Sequence, residues 1–149
     1  MNTTLKIDTI GFGQQLERLR IANGRAAGSM VRYWSRKMLK KLAWKTNVAA
    51  KRYRESGRLR AGWWPAAQAI GVNTVYSGSH GDAGEGSCID RSSDPVIPSI
   101  TMTNTVPYGP HVKGLEEALN AGASEVEVQV RAEADSLWRR ELVAAGFSP

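Results

Sequence analysis

The chain has 149 residues, of which 42% are hydrophobic and five are tryptophan, a composition that fits one globular domain and excludes a wholly disordered polymer. Its single cysteine, Cys88, excludes an intramolecular disulfide framework, so a reducing cytoplasm is a sufficient environment. No window approaches the roughly 18 uninterrupted apolar residues that a membrane-spanning helix needs. We therefore expect a single soluble domain over residues 1–149 that makes no contact with a membrane.

The net charge of +6 is divided unevenly along the chain. Up to Arg60 there are 15 Lys and Arg against 3 Asp and Glu, whereas the remainder has 5 against 11. Such a division indicates either a nucleic-acid patch or a basic face that meets an acidic face of an identical neighbour. The sequence leaves both interpretations open.

The first half of the chain predicts helix. Residues 1–13 have weak periodicity, and residues 14–21 could open a helix that Asn23-Gly24 and Gly28-Ser29 then interrupt. The pattern predicts an arm or a loosely held segment over residues 1–28, with either a break between two helices or a loosely held first turn. Residues 29–53 predict the clearest helix, because apolar residues recur there at steps of three, four and seven: Val31, Trp34, Met38, Leu42, Ala49 and Tyr53. Three further apolar residues, Met30, Trp44 and Val48, lie off this stripe and predict a second surface for another subunit.

The second half predicts strands. After Gly57 the residues Leu59, Ala61, Trp63 and Ala66 indicate extended chain, which Pro65 restricts to an edge strand or a bulge. Further strands are predicted at residues 70–76 and 97–105. The Gly- and Ser-rich residues 77–95 between them predict a long flexible loop.

The C-terminal part predicts two helices. Residues 115–120 indicate a short helix closed by Gly122, and Ser124 with Glu127 forms a capping box that opens a last helix over residues 125–145. The predicted fold class is therefore α+β: an antiparallel twisted sheet or sandwich flanked by a long N-terminal helix and a C-terminal helix.

Catalytic motifs are absent from the sequence, which has no Walker loop, dinucleotide fingerprint or nucleophile elbow. One polar cluster has acceptable metal-ligand types, but its spacing matches neither a zinc nor a calcium site: His80, Asp82, Glu85, Cys88 and Asp90. We therefore predict no enzymatic activity, no cofactor and no metal. A small hydrolase built on His80 or Cys88 is the least favoured class.

Two short motifs stand in a particular order. Ser56-Gly57-Arg58-Leu59-Arg60 follows the basic helix, and Asn104-Thr105-Val106-Pro107-Tyr108 follows the strands. This arrangement resembles the tail-completion and neck proteins of tailed bacteriophages, in particular the family similar to gene product 10 of phage HK97. Its members carry Thr-Gly-x-Leu-Arg after a long N-terminal helix and Asn-x-x-Pro-Tyr-Ala further on. Here Ser56 replaces the Thr and Gly109 replaces the Ala.

The resemblance implies a virion structural protein that completes the tail at the neck and is made in the host cytoplasm. Its expected partners are copies of itself in a homo-oligomeric ring, six by the resemblance. A head-closure or connector protein would lie above the ring, a tail tube or terminator protein below it, and DNA would pass through the lumen. The residues expected at subunit or partner interfaces are Arg58, Arg60, Trp63, Trp64, Tyr108 and Trp44. On a strand Trp63 and Trp64 would point to opposite faces, one of them toward a partner.

The alternative function is nucleic-acid binding by the basic helix from Arg32 to Arg54. Its Lys and Arg side chains would then neutralise phosphates, and binding would weaken steeply with salt.

Overall fold

The computed structural model describes residues 9–51, 56–73 and 85–147, with residues 9–19 and Ser56 as backbone only. The elements in chain order are α1 (Thr9–Ala50), α2 (Ser56–Ala61), α3 (Trp64–Ile70), β1 (Gly86–Arg91), β2 (Ser99–Asn104), a 3-10 helix (Gly109–His111) and α4 (Leu115–Ala144). The fold class is α+β, as predicted, although the sheet in the described residues has only two strands. None of the described helices is both long and apolar enough to cross a membrane. The predictions for Tyr53, Arg54, His80 and Asp82 lie outside the described residues.

Helix α1 runs without interruption for 42 residues, so the predicted break at Asn23-Gly24 and Gly28-Ser29 is wrong. The predicted arm over residues 1–28 is wrong from Thr9 onward, because this part is helical and Ala22 and Ala26 are buried. Gly28 has a packing reason instead. A Cβ atom on Gly28 would overlap the Ser92 carbonyl oxygen, so glycine lets the β1–β2 connection lie directly against the helix.

The buried face of α1 is displaced from the predicted stripe. Leu39, Ala43 and Thr46 are fully buried, whereas the described members of the stripe are half-buried: Val31, Trp34, Met38, Leu42 and Ala49. Helix α1 packs against α4 and also against α2, α3 and β2. Because the helix has neighbours on more than one side, no single face holds all of its apolar residues.

The segment after Gly57 is helical rather than extended, so the predicted strand over residues 59–66 is wrong. Pro65 lies in the first turn of α3, where its missing N–H is not needed, and it therefore marks a helix start rather than a strand edge. Gly71 ends α3 in the left-handed conformation at φ 70°. The strand predicted from residue 70 is consequently absent from the described residues up to Asn73.

Strands β1 and β2 form an antiparallel pair with Gly86 opposite Asn104 and Arg91 opposite Ser99. Strand β2 confirms the strand predicted at 97–105, with narrower bounds. Strand β1 corrects the loop predicted at 77–95. Its half-buried residues include Asp90, which takes a position where the alternation of a strand would place an apolar side chain. That polar residue conceals the strand pattern.

Helix α4 is also continuous, so the predicted stop at Gly122 and the capping box at Ser124 are wrong. The helix begins after Gly114, whose φ of 78° lies in the left-handed region. Gly122 lies where the side chains of Lys41 and Lys45 cross α4, and a Cβ atom there would approach Lys45 Cγ to 3.1 Å. The glycine therefore permits close helix packing and does not end the helix.

Two apolar clusters form the core. The first contains Leu39, Trp63 and Ile70, with Met102 of the sheet packed against it. The second contains Ala50, Leu59, Val106, Val112 and Leu115, with Tyr108 packed against it. The second cluster thus joins the C-terminal end of α1 to the start of α4.

Candidate functional site

The two short motifs of the sequence are in direct contact. The Asn104 side-chain Nδ2 donates a 2.7 Å hydrogen bond to the Leu59 carbonyl oxygen, and its Oδ1 accepts one of 3.2 Å from the Val106 N–H. Leu59 is 2% exposed and packs in the second apolar cluster beside Val106. We call the contact region around Arg58, Leu59, Asn104 and Tyr108 the motif junction.

Glycine permits this contact. Gly62 is buried, and a Cβ atom on it would overlap the Asn104 amide. Gly86, opposite Asn104 in the sheet, likewise has no room for a Cβ atom because the Gly62 carbonyl oxygen lies against it. The turn between α2 and α3 can therefore lie close to the start of β1 and the end of β2.

Arg58 anchors the polar side of the motif junction. Its Nε donates to Glu85 Oε2 at 2.8 Å, and its Nη2 also pairs with Glu85. The hydrogen bond from Arg58 lowers the pKa of the Glu85 carboxyl below its ordinary value. The guanidinium carbon lies 6.0 Å from the centre of the Tyr108 ring, within range of a cation–π contact. Arg58 thus connects three separate segments of the chain.

A cavity of about 510 Å³ lies beside the motif junction. Its walls are largely apolar and include Leu59, Trp63, Val106 and Leu115. Exposed residues on its rim include Pro110 and two acidic side chains at the start of α4, Glu116 and Glu117. We call it the junction cavity.

The predicted interface tryptophans do not lie on a strand, so the strand argument for them is wrong. Trp63 is buried, and its Nε1 donates a 3.0 Å hydrogen bond to Thr46 Oγ1. Trp64 is half-buried and packs against the same apolar cluster. Arg60 is also half-buried. That these three residues take part in an interface stays a prediction.

Trp44 lies apart from the motif junction, on the side of α1 that faces α4. It is 55% exposed and lies between Lys41 and Lys45, whose amino groups are 5.4 and 5.5 Å from its ring centre. Both lysines bind Glu125 of α4, Lys45 at 2.8 Å. Hydrogen bonds from Lys41 and then Lys45 lower the pKa of Glu125 to about 2.

Glu133 of α4 forms a second set of polar contacts with α1. Glu133 accepts hydrogen bonds of 2.8 and 2.9 Å from Lys37 and one of 2.8 Å from the Tyr33 hydroxyl. The lysine hydrogen bond is the main reason that the pKa of Glu133 is lowered. We call the contacts of Lys37, Lys41 and Lys45 with α4 the helix seam. Three cations of the predicted basic face therefore bind the acidic half of the same chain.

Arginines from both long helices line another cavity, of about 230 Å³: Arg32, Arg36 and Arg140. Arg32 binds Asp90 at 2.7 Å, and Arg36 Nε donates to the Ile70 carbonyl at 2.6 Å. The terminal nitrogens of Arg36 make no hydrogen bond to the described residues. Glu141 also lines this cavity and pairs with Arg140 at 3.8 Å. We call it the arginine cavity, and its excess of three guanidinium groups over one carboxylate suits an oxyanion.

Cys88 lies half-buried on β1. Burial, and secondarily the charge of Asp90, raises the pKa of its thiol. Because the thiolate is the nucleophile, this environment disfavours nucleophilic chemistry at Cys88. Within the described ranges, no group of three or more His, Cys, Asp and Glu side chains is arranged to hold a metal ion.

Sequence reasoning missed several residues of the site. Glu85 appears in the sequence only as part of a loop, and nothing in its surroundings predicts a pairing with Arg58 across 27 positions. Gly62 has a weak signal, since a glycine between helical segments often marks close backbone approach.

No family model matches the chain, and no match was found among curated proteins or among solved structures. The function is therefore argued from the residues and geometry described above.

Proposed function

We propose that the chain is a virion structural protein of a tailed bacteriophage that completes the tail at the neck. It forms a homo-oligomeric ring between a head-closure or connector protein and a tail tube or terminator protein, with DNA passing through the lumen. Its role in the virion is non-catalytic.

The contact between the two motifs is the observation that carries this proposal. The resemblance rests on residues 56–60 and 104–108, which are far apart in the sequence. Their residues meet through the Asn104–Leu59 hydrogen bond and the Arg58–Tyr108 contact. Motif residues that form one structural unit support a shared fold better than two unrelated short matches do.

The surface adds support for a protein that assembles with partners. Large apolar side chains are exposed on both long helices and on the sheet, including Trp44, Val143 and Ile89. Exposed apolar residues beyond a formed core favour contact surfaces, particularly when they are rimmed by charges.

The test is the presence of the chain in purified particles together with its mass in solution. We expect mass spectrometry to find the chain in particles at a stoichiometry of several copies. Light scattering at rising protein concentration is expected to show self-association, either alone or with the connector protein. A strict monomer at high concentration combined with absence from particles would overturn the proposal.

The arginine cavity favours nucleic-acid binding as the second candidate function. Three guanidinium groups around one small cavity fit a phosphate group. The helix seam argues against the broader form of this candidate, because Lys37, Lys41 and Lys45 are bound to Glu125 and Glu133. A filter-binding titration at low and moderate salt tests it, since tight and strongly salt-dependent binding is the expected signature.

A further inference from the structure

The connection between β1 and β2 carries an apolar tip, formed by Pro95, Val96, Ile97 and Pro98. Val96 is 79% exposed and Ile97 is 72% exposed. The Asp94 carboxylate accepts hydrogen bonds from both of their N–H groups, at 2.8 and 3.0 Å. These two hydrogen bonds restrain the backbone of the tip, and a restrained apolar segment loses less entropy when it binds.

Positive charge surrounds the apolar tip. Arg20 and Arg25 line a small cavity together with Ile21, Ser92 and Pro95. The charge of Arg91 acts on Asp94 and contributes to the lowered pKa of that carboxyl, after its two backbone hydrogen bonds. Arg20, Arg25 and Arg91 thus place positive charge beside the apolar tip.

The junction cavity is also apolar, but the charge on its rim is opposite to that around the tip. Its apolar walls include Leu59, Val106, Val112 and Leu115. Its volume of about 510 Å³ lies within the range of about 300–1,000 Å³ typical of pockets that enclose small groups. Glu116 and Glu117 on its rim outnumber its one basic side chain, Lys113.

The two features lie far apart along α1. Pro95 of the tip contacts Gly24, while the junction cavity is bounded by Thr46. Thr46 lies 22 positions after Gly24, which is a distance of about 33 Å at 1.5 Å per residue. The tip consequently cannot fill the cavity of its own chain, but the tip of a second copy can reach it.

We propose that the apolar tip of one copy inserts into the junction cavity of the next, with Arg20 and Arg25 facing Glu116 and Glu117. This inference rests on the proposed ring assembly and names the contact that builds it. Because the two surfaces differ, the contact is head-to-tail, and repetition of such a contact closes a ring when the rotation between copies permits. The opposed charges favour this pairing over tip-to-tip contact.

A mixing experiment tests the head-to-tail contact. The tip variant carries Val96→Asp and Ile97→Asp, and the rim variant carries Glu116→Lys and Glu117→Lys. Each variant alone is expected to stay monomeric by light scattering where the wild-type chain self-associates. An equal mixture is expected to form dimers, because one intact tip and one intact cavity remain per pair. Assembly of either variant to the wild-type mass would overturn the inference.

Val128→Asp is the matched control, because Val128 is 70% exposed on α4 and lies in neither the tip nor the cavity. It is expected to assemble as the wild type does. Thermal unfolding of each variant shows whether a loss of assembly reflects a loss of folding. A variant that unfolds early is replaced by the cysteine pair described next.

Disulfide cross-linking in particles tests the tip contact even if the ring forms only when a partner protein is bound. In a Cys88→Ser background, Ile97→Cys with Asn120→Cys places one thiol on the tip and one on the cavity lining. In purified particles this pair is expected to give a ladder of covalent multimers under oxidation, whereas either single substitution gives at most dimers. Particles that contain the chain but give no ladder would refute the tip contact and leave the neck assignment standing. A monomeric chain that is missing from particles would refute the neck assignment itself.

Discussion

Gly24 and Gly28 lie one helical turn apart on α1, but they face the β1–β2 connection at different distances. A Cβ atom on Gly24 would lie 3.7 Å from the Pro95 carbonyl oxygen, an ordinary contact, whereas one on Gly28 would overlap the Ser92 carbonyl. We expect Gly24→Ala to stabilise the protein by about 0.5–1 kcal/mol through helix propensity. Gly28→Ala is expected to destabilise it by about 1–3 kcal/mol through overpacking. Urea unfolding of both variants measures the difference, and equal signs would contradict the packing described here.

Asn104 connects two segments that are 45 residues apart. Asn104→Ala leaves the Leu59 carbonyl and the Val106 N–H without their partner, so we expect a loss of about 1–3 kcal/mol in the free energy of unfolding. Thr105→Ala is the control, because its side chain is exposed and is expected to change stability by less than about 0.5 kcal/mol. Urea denaturation measures both, and an equal effect of the two changes would show that the Asn104 hydrogen bonds contribute little.

At the scale of elements, sequence periodicity located the long helices but not their limits. Gly24, Gly28 and Gly122 look like helix breaks in the sequence, yet each lies inside a helix. At Gly28 and Gly122 another segment approaches closely. Local propensity costs about 1 kcal/mol per glycine, which tertiary packing can exceed. Pro65 is compatible with an edge strand as well as with a first helical turn, and only the packing of α3 distinguishes them.

In the candidate site, too, some features follow from the sequence and others depend on tertiary packing. Leu59 is buried, as leucine most often is, so its place in the core agrees with its residue type. The pairing of Arg58 with Glu85 depends on how distant segments meet, which a single sequence does not specify. The Asp94-Pro95-Val96-Ile97-Pro98 run did hold a signal, since prolines flanking two apolar residues indicate a turn with an exposed tip.

The helix seam makes the packing of α1 on α4 sensitive to acid. Hydrogen bonds from Lys41 and Lys45 lower the pKa of Glu125 from 4.5 to about 2. A carboxyl whose pKa is lower in the folded state stabilises the fold above its unfolded pKa, and that stabilisation is lost as the pH falls through the folded value. We therefore expect the Tm difference between wild type and Glu125→Gln to shrink between about pH 5 and pH 2.

Glu127→Gln is the control for this measurement. Glu127 pairs with Arg131 on its own helix, at 2.7 Å, and not with α1. Its exposed pair is expected to contribute less than about 0.5 kcal/mol. Differential scanning across this pH range at low salt records both variants. A Glu125→Gln difference that persists unchanged at pH 2 would exclude the lysine contacts as its source.

At the scale of the whole molecule, the uneven charge of the two halves is partly neutralised inside one chain. Arg32 binds Asp90, Lys37 binds Glu133, and Lys41 and Lys45 bind Glu125. A basic half that folds against an acidic half offers fewer cations to a polyanion than its net charge suggests. The same folding leaves positive charge around the apolar tip and negative charge on the junction cavity rim, where neighbouring copies can use it.

The salt dependence of DNA affinity therefore distinguishes a neck protein that contacts DNA at one site from a protein that binds DNA along the whole of α1. Arg32 of the arginine cavity is bound to Asp90, so contact through Arg36 and Arg140 neutralises about two phosphates and gives a salt slope near −1.8. That slope corresponds to about a 12-fold loss of affinity between 50 and 200 mM salt, whereas six or more contacts lose over about a thousandfold. We expect Arg36→Ala with Arg140→Ala to reduce the slope by about two.

Lys37→Ala is expected to leave the salt slope unchanged, because Lys37 binds Glu133. A steep slope that Lys37→Ala reduces would favour the nucleic-acid-binding protein over the neck protein.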